Sequence, residues 1–180
     1  MKSFAGIGSR QITKEEEKRI AEISAVLSSL GYVCYSGGAE GSDYIFEQSC
    51  KETIVFIPWN NYKNPFKTYI ESSNIIVAGN TIEGNESVFK FHPAPNRLSQ
   101  GGKKLMCRNY HQIHGMNSLP KVELVVCCAH PDKNFGVKGG TGQAIRVALS
   151  ENIPIFNIRT MKWINRKHPD ISFEFKMKGE

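Results

Sequence analysis

Apolar residues recur at helical spacing after Thr13, where Ile20, Ile23, Leu27 and Leu30 share one face and charged residues fill the positions between. Thr13 and Glu16 stand at capping-box spacing ahead of that face, and Gly31 supplies a stop, so a helix is expected between them. A strand-length apolar run at 3–7 precedes this helix and another at 32–35 follows it. Together they make a β-α-β unit of roughly 30 residues, which favours a parallel pair. A second helix is predicted over 43–51, feeding a β-branched run at 53–58 that ends at Pro58. The same grammar returns late in the chain, with a strand at 122–128, a helix at 141–150 and a strand at 153–158. This alternation predicts an α/β fold: a Rossmann-like, doubly wound, mainly parallel sheet in three α/β/α layers.

Between 59 and 100 the pattern breaks repeatedly, at Asn60-Asn61, Asn64-Pro65, Gly79-Asn80 and His92-Pro93-Ala94-Pro95. A loop-rich insertion carrying functional loops is expected there, with a short strand at 75–78. A helix is predicted over 103–114, and the alternation at 171–176 predicts an edge strand. The expected organisation is one domain over 1–180, with that insertion and a basic C-terminal extension at 159–180.

Three glycine turns each follow a predicted strand: Gly6-Ile7-Gly8-Ser9-Arg10, Ser36-Gly37-Gly38-Ala39-Glu40-Gly41-Ser42-Asp43, and Gly139-Gly140-Thr141-Gly142-Gln143. Glycines remove Cβ atoms, so backbone N–H groups and the positive end of the next helix can approach an anion. Arg10, directly after the first turn, is a candidate bidentate phosphate ligand. Ser9 and Ser36 either offer hydroxyls to the same pocket or cap their turns. Asp43 reads as a ribose-binding carboxylate or as a helix N-cap, and Thr141 as a phosphate contact or a cap.

The chain has 180 residues, enough for one domain that needs no staple. With 40% hydrophobic and 22% charged residues it is an ordinary globular sequence, and its apolar runs are too short to span a membrane. The N-terminal residues do not form the apolar core of a signal peptide, so a cytoplasmic location is expected. Five cysteines, an odd number without a CxxC pair, read as reduced thiols. The net charge of +6 suits an anionic ligand, nucleotide or nucleic acid. His92, His111, His114 and His130 lack companion carboxylates at metal-site spacing, and no metal is expected. Neither a GxSxG elbow nor a GxxxxGK[ST] loop is present, which argues against a serine hydrolase and a P-loop ATPase.

GIGSR at 6–10, SGGAEGSD at 36–43, Arg108-Asn109 and GGTGQA at 139–144 resemble the SLOG superfamily, which gathers DprA/Smf DNA-processing proteins, LOG-type phosphoribohydrolases and YspA/YpsA-like proteins. The resemblance covers about residues 3–158, with 59–100 poorly matched. It implies a Rossmann-like sheet whose glycine turns bind a nucleotide or nucleotide-derived ligand, without an obligatory cofactor. Gly8, Ser9, Arg10, Ser36, Gly37, Gly38, Gly41, Asp43, Arg108, Asn109, Gly139, Gly140 and Thr141 would make the site, with Arg108 resembling the arginine that LOG-type and YspA-type proteins carry before the last glycine loop.

LOG-type enzymes carry a glutamate three residues after the glycine-loop threonine; this chain has Ala144, the DprA and YspA pattern. The leading expectation is therefore binding, for sensing or sequestration. An N-glycosidase acting on a nucleoside 5′-monophosphate is the enzymatic alternative, with Glu83 or Glu86 as the acid. Single-stranded DNA binding of the DprA kind is the third, drawing on the positive charge and on Trp59, Tyr62, Phe66 and Trp163. A homo-oligomer is compatible with each.

Overall fold

The first helix is built as its capping signal dictates. The Thr13 hydroxyl accepts the Glu16 N–H at 3.1 Å, and the Glu16 carboxylate accepts the Thr13 N–H at 2.9 Å. This computed structural model describes residues 1–130 and 140–173. The helix, α1 (Lys14–Ser29), buries Ile20, Ile23 and Leu27, each contributing about 2 kcal/mol of apolar burial. Leu30, expected on that face, is instead the exposed C-cap, because Gly31 turns the chain away at φ +81°.

Around α1 run β1 (Lys2–Gly8) and β2 (Tyr32–Ser36), followed by α2 (Ser42–Ser49) and β3 (Thr53–Ile57). The segment 59–100 holds an antiparallel hairpin, β4 (Tyr62–Asn64) and β5 (Lys67–Tyr69), then β6 (Ile75–Val77), α3 (Ile82–Phe91) and a 3₁₀ turn at Pro95–Arg97. Next come α4 (Gln100–His114), β7 (Leu124–Cys128), α5 (Gly140–Ser150), β8 (Ile155–Asn157) and β9 (Lys162–Trp163). Helix α4 starts earlier than its apolar pattern suggests because the Ser99 hydroxyl accepts the Gly102 N–H at 3.0 Å and caps it.

The seven-stranded sheet has the order β6-β3-β2-β1-β7-β8-β9, parallel except for the last pair. Alternate residues of β1 feed two cores: Phe4 packs with Ile20, Ile23, Leu27 and Phe46 of α1 and α2, whereas Ala5 and Ile7 pack with Ile113, Ala144 and Ile145 of α4 and α5. Helices on both faces make the three-layer α/β sandwich that the β-α alternation predicts. The edge position expected for 171–176 is taken by β9; Ile171–Phe173 has no strand geometry, and 174–176 lies outside the described residues. Ile171 and Phe173 instead close the second core, Phe173 stacking 5.7 Å from Trp163.

The chain moves outward from β1 through β2, β3 and β6, then crosses to β7 on the other side of β1. Strand order therefore reverses between β1 and β7, where open α/β sheets form a crevice at the carboxyl ends of their strands.

Candidate functional site

A cleft of about 500 Å³ opens at that reversal, within the size range of small-molecule sites. Gly8 at the end of β1, with Ser9 and Arg10 beyond it, and Ala129 and His130 after β7 form two of its sides. The others come from α2, α4, the start of α5, and Arg159 beyond β8.

The first turn is held tightly. Ser9 N–H donates to the Cys128 carbonyl at 2.8 Å, and the Ser9 carbonyl accepts from both the N–H and hydroxyl of Ser42, at 3.0 and 2.9 Å. The Ser9 hydroxyl accepts the Gln11 N–H at 3.1 Å, so it stabilises its own turn while facing the cleft. Gly41, at φ +81°, lies so near this turn that a Cβ would sit 2.4 Å from the Arg10 carbonyl oxygen. With its backbone fixed in this way, Arg10 lines the cleft with an exposed side chain, and no described residue hydrogen-bonds or ion-pairs with its guanidinium.

The second turn is organised by Asp43 and Arg108. Asp43, expected as an N-cap or a ribose ligand, is not the cap: Gly41 occupies that position, and the Asp43 carboxylate accepts the Gly37 N–H at 3.1 Å. Arg108, 4% exposed, donates to the carbonyls of Gly37 and Phe56 and, through Nε, to Asn109 Oδ1 at 2.9 Å. No side chain fits at Gly37, where a Cβ would meet Arg108 and Asp43. Burial pushes the Asp43 carboxyl up to about 6, against the pull of Arg108 and the Gly37 N–H. The Ser36 hydroxyl donates to the Asp43 carbonyl at 2.9 Å and accepts the Gly38 N–H at 3.2 Å, which makes it part of the frame rather than a pocket hydroxyl.

The β4–β5 hairpin buttresses this turn from outside. Asn64 Nδ2 donates to the Gly38 carbonyl at 3.0 Å and to the Tyr69 hydroxyl at 3.1 Å. Tyr69 in turn donates to Glu47 at 2.6 Å, and its ring fills the space beside Gly38. Tyr62 lies under the Arg108 guanidinium at 5.7 Å.

Helix α4 brings Arg108, Asn109 and Gln112 to the cleft, and α5 presents Gly140, Thr141 and Ala144 at its N-terminal end. Asn109 Nδ2 would lie 2.4 Å from a Cβ at Gly140, so the two elements approach through the missing side chain. On the opposite rim, Glu16 holds Arg159 by two bonds, Nε to Oε1 at 2.6 Å and Nη2 to Oε2 at 3.1 Å. Those bonds lower the Glu16 pKa and raise that of Arg159.

Of the residues expected from sequence, Gly8, Ser9, Arg10 and Asp43 meet Arg108, Asn109, Gly140 and Thr141 around one cleft. Ser36, Gly37, Gly38 and Gly41 shape the wall behind it, and Gly139 lies outside the described residues. Glu83 and Glu86 are exposed on α3, and neither lines the cleft. Sequence reasoning missed Gln112, His130 and Arg159. Arg159 was submerged in a basic tract, and its partner Glu16 carried only a capping signal. Gln112 lies one helical turn beyond Arg108, which is the spacing that could have found it.

Among the described residues, no three His, Cys, Asp or Glu side chains converge as a metal site, and no helix is long and apolar enough to cross a membrane. Of the aromatics considered for base stacking, Trp59 meets Tyr62 only edge-on, at 5.5 Å, and the others pack on different partners. Trp163 packs on Phe156 at the β8–β9 edge, whereas Tyr62 is buried with Tyr69 and Phe66 stacks on Tyr44.

No protein-family model matches the chain, and no curated protein is similar to it. Among solved structures, the single-stranded-DNA-binding DNA processing protein A from Helicobacter pylori aligns at 19% identity with a TM-score of 0.55, over 87% of this chain and 64% of that one. The chain thus spans less than two thirds of that protein's structure. Looser likenesses are to the molybdenum cofactor binding protein of the phototrophic bacterium Rippkaea orientalis (15% identity, TM-score 0.47, 87% of this chain and 75% of that one) and the Moco carrier protein of Chlamydomonas reinhardtii (13%, 0.48, 88% and 77%). The sheet order, the parallel register and the first of these likenesses give the chain a Rossmann-like α/β fold, shared with that DNA processing protein.

Proposed function

We propose that the cleft binds a nucleotide or nucleotide-derived small molecule, for sensing or sequestration rather than turnover. The observation that carries this reading is Arg10: an exposed cation on a rigid turn, engaged by no described residue, on a cleft into which the N-terminal end of α5 opens. Every other arginine side chain at the cleft is already committed, Arg108 to backbone carbonyls and Arg159 to Glu16. An unpaired guanidinium beside a helix N-terminus suits a phosphate, which would accept from both.

Binding is favoured over hydrolysis by what lines the cleft. Ala144 occupies the place where LOG-type enzymes carry their glutamate, and the substitutes Glu83 and Glu86 lie elsewhere. A thermal-shift series with nucleoside mono-, di- and triphosphates tests the reading. A ligand at 100 times its Kd adds about 2.7 kcal/mol of stability, and no shift with any of them refutes small-molecule nucleotide binding.

Single-stranded DNA, named for the DNA processing protein A of like fold, is the second reading, favoured by the net charge of +6. Its phosphate contacts would give a log affinity falling with log salt by about 0.7 per phosphate neutralised. The scattered aromatics count against it, since they offer no continuous stacking surface.

A further inference from the structure

One buried donor at the cleft has no partner among the described residues. Gln112, 2% exposed, lines the cleft from α4, and its Nε2 makes no hydrogen bond to any described residue. Neighbouring polar groups in the same wall are committed: Arg108 to the carbonyls of Gly37 and Phe56, and Asn109 Oδ1 to Arg108. The Nε2 group lies beside the Asp43 carboxyl without a well-formed bond to it. An unsatisfied buried amide donor costs about 1–3 kcal/mol, so a side chain kept there without a partner points to one that arrives from outside.

We propose that Gln112 and Asp43 form a subsite for a neutral hydrogen-bonding edge of the ligand, one with an acceptor for Gln112 Nε2 next to a donor for the Asp43 carboxyl. This deepens the nucleotide reading and rests on it. A phosphate is excluded from this subsite, because Asp43 would repel it; phosphate belongs at Arg10 and the start of α5. Two parts of a nucleotide carry the required edge. A guanine-type lactam sets a carbonyl oxygen beside an N–H, and a ribose hydroxyl or diol both accepts and donates. Ile7, Ala39, Leu105, Met106 and Ala144 line the remainder with apolar surface, which suits the flat or carbon-bearing parts of either group.

The test is calorimetric titration of wild type and Gln112→Leu with GMP, AMP, 2′-deoxy-GMP and 2′-deoxy-AMP. Leucine keeps the volume and removes the orphan donor, so its thermal midpoint should equal or exceed that of wild type; Gln112→Glu, which replaces the donor with an acceptor, is the second variant. At least tenfold preference for GMP over AMP, abolished in both variants, assigns the edge to the lactam. At least tenfold loss on removing the 2′-hydroxyl, again abolished in both, assigns it to the ribose. If nucleotides bind wild type and variants with equal affinity and equal selectivity, the subsite is refuted while nucleotide binding stands. If no nucleotide binds wild type, both fall together.

Discussion

The Glu16 carboxylate grips the Arg159 guanidinium with both oxygens, at 2.6 and 3.1 Å, tying the first turn of α1 to the segment that follows β8. The pair does two jobs at once, since Glu16 also closes the capping box with Thr13 and Arg159 also lines the cleft. Glu16→Gln should lower the unfolding free energy by about 2 kcal/mol, the scale of charge-assisted hydrogen bonds, measured by urea denaturation at pH 7. Because the folded state lowers the Glu16 pKa, its contribution is present above the unfolded value and is lost as pH falls through the folded one. The gap between variant and wild type should therefore close in acid.

Asp43 titrates with the opposite sign. Its folded pKa is raised from 3.8 to about 6, so between those values the folded state holds a proton that the unfolded state releases. The group's contribution to stability falls as pH rises through that window. Relative to wild type, Asp43→Asn should gain about 3 kcal/mol in unfolding free energy between pH 3.5 and pH 7.5, since each pKa unit corresponds to about 1.4 kcal/mol. Equal slopes for the two proteins would show that the carboxyl is not desolvated.

Gly41 carries both a backbone and a packing demand. An alanine there must adopt φ +81° and push its Cβ against the Arg10 carbonyl, so Gly41→Ala should cost more than about 2 kcal/mol. The displaced Arg10 turn should also weaken nucleotide binding. Full stability with full binding in this variant would mean that the first and second turns are not locked together.

The hairpin supports the site from a distance. Asn64→Ala removes bonds to the Gly38 carbonyl and the Tyr69 hydroxyl, together with the acceptor for the N–H groups of Phe66 and Lys67. A loss of about 2 kcal/mol is expected, at roughly 1 kcal/mol per net hydrogen bond with partial rescue by water. Hydrogen exchange should show increased opening at Gly37 and Gly38, and opening confined to 62–69 would separate the hairpin from the site.

The fold was legible because its signals are local: a capping box, a helical face, β-branched runs and glycines after strands all act within a few residues. Arg10 and Thr141 could be placed at the cleft because strand-turn-helix grammar puts those positions at the carboxyl edge of a parallel sheet, and Arg108 because its position resembles the arginine of LOG-type and YspA-type proteins. Of the two readings open for Ser36, the turn cap holds, since its hydroxyl accepts the Gly38 N–H, whereas Asp43 is not the N-cap its position suggests. Each looks like a turn or cap residue in sequence, but their partners, Gly37 N–H and the Asp43 carbonyl, are set by how the whole turn folds back under Arg108. Glu16 with Arg159, and the orphan amide of Gln112, arise from contacts between elements far apart in the chain, which periodicity does not encode. The hairpin at 62–69 was hidden by turn residues that, in the folded protein, brace the second glycine turn.

The most direct test of the account is calorimetric titration of nucleoside 5′-monophosphates and 5′-diphosphates into wild type and Arg10→Ala. Because Arg10 is exposed and unengaged by any described residue, the variant should keep the wild-type urea midpoint and lose at least tenfold in affinity, about 1.4 kcal/mol. Saturable binding in wild type with that selective loss is the predicted result; undiminished binding by Arg10→Ala, or no binding by wild type, would contradict it.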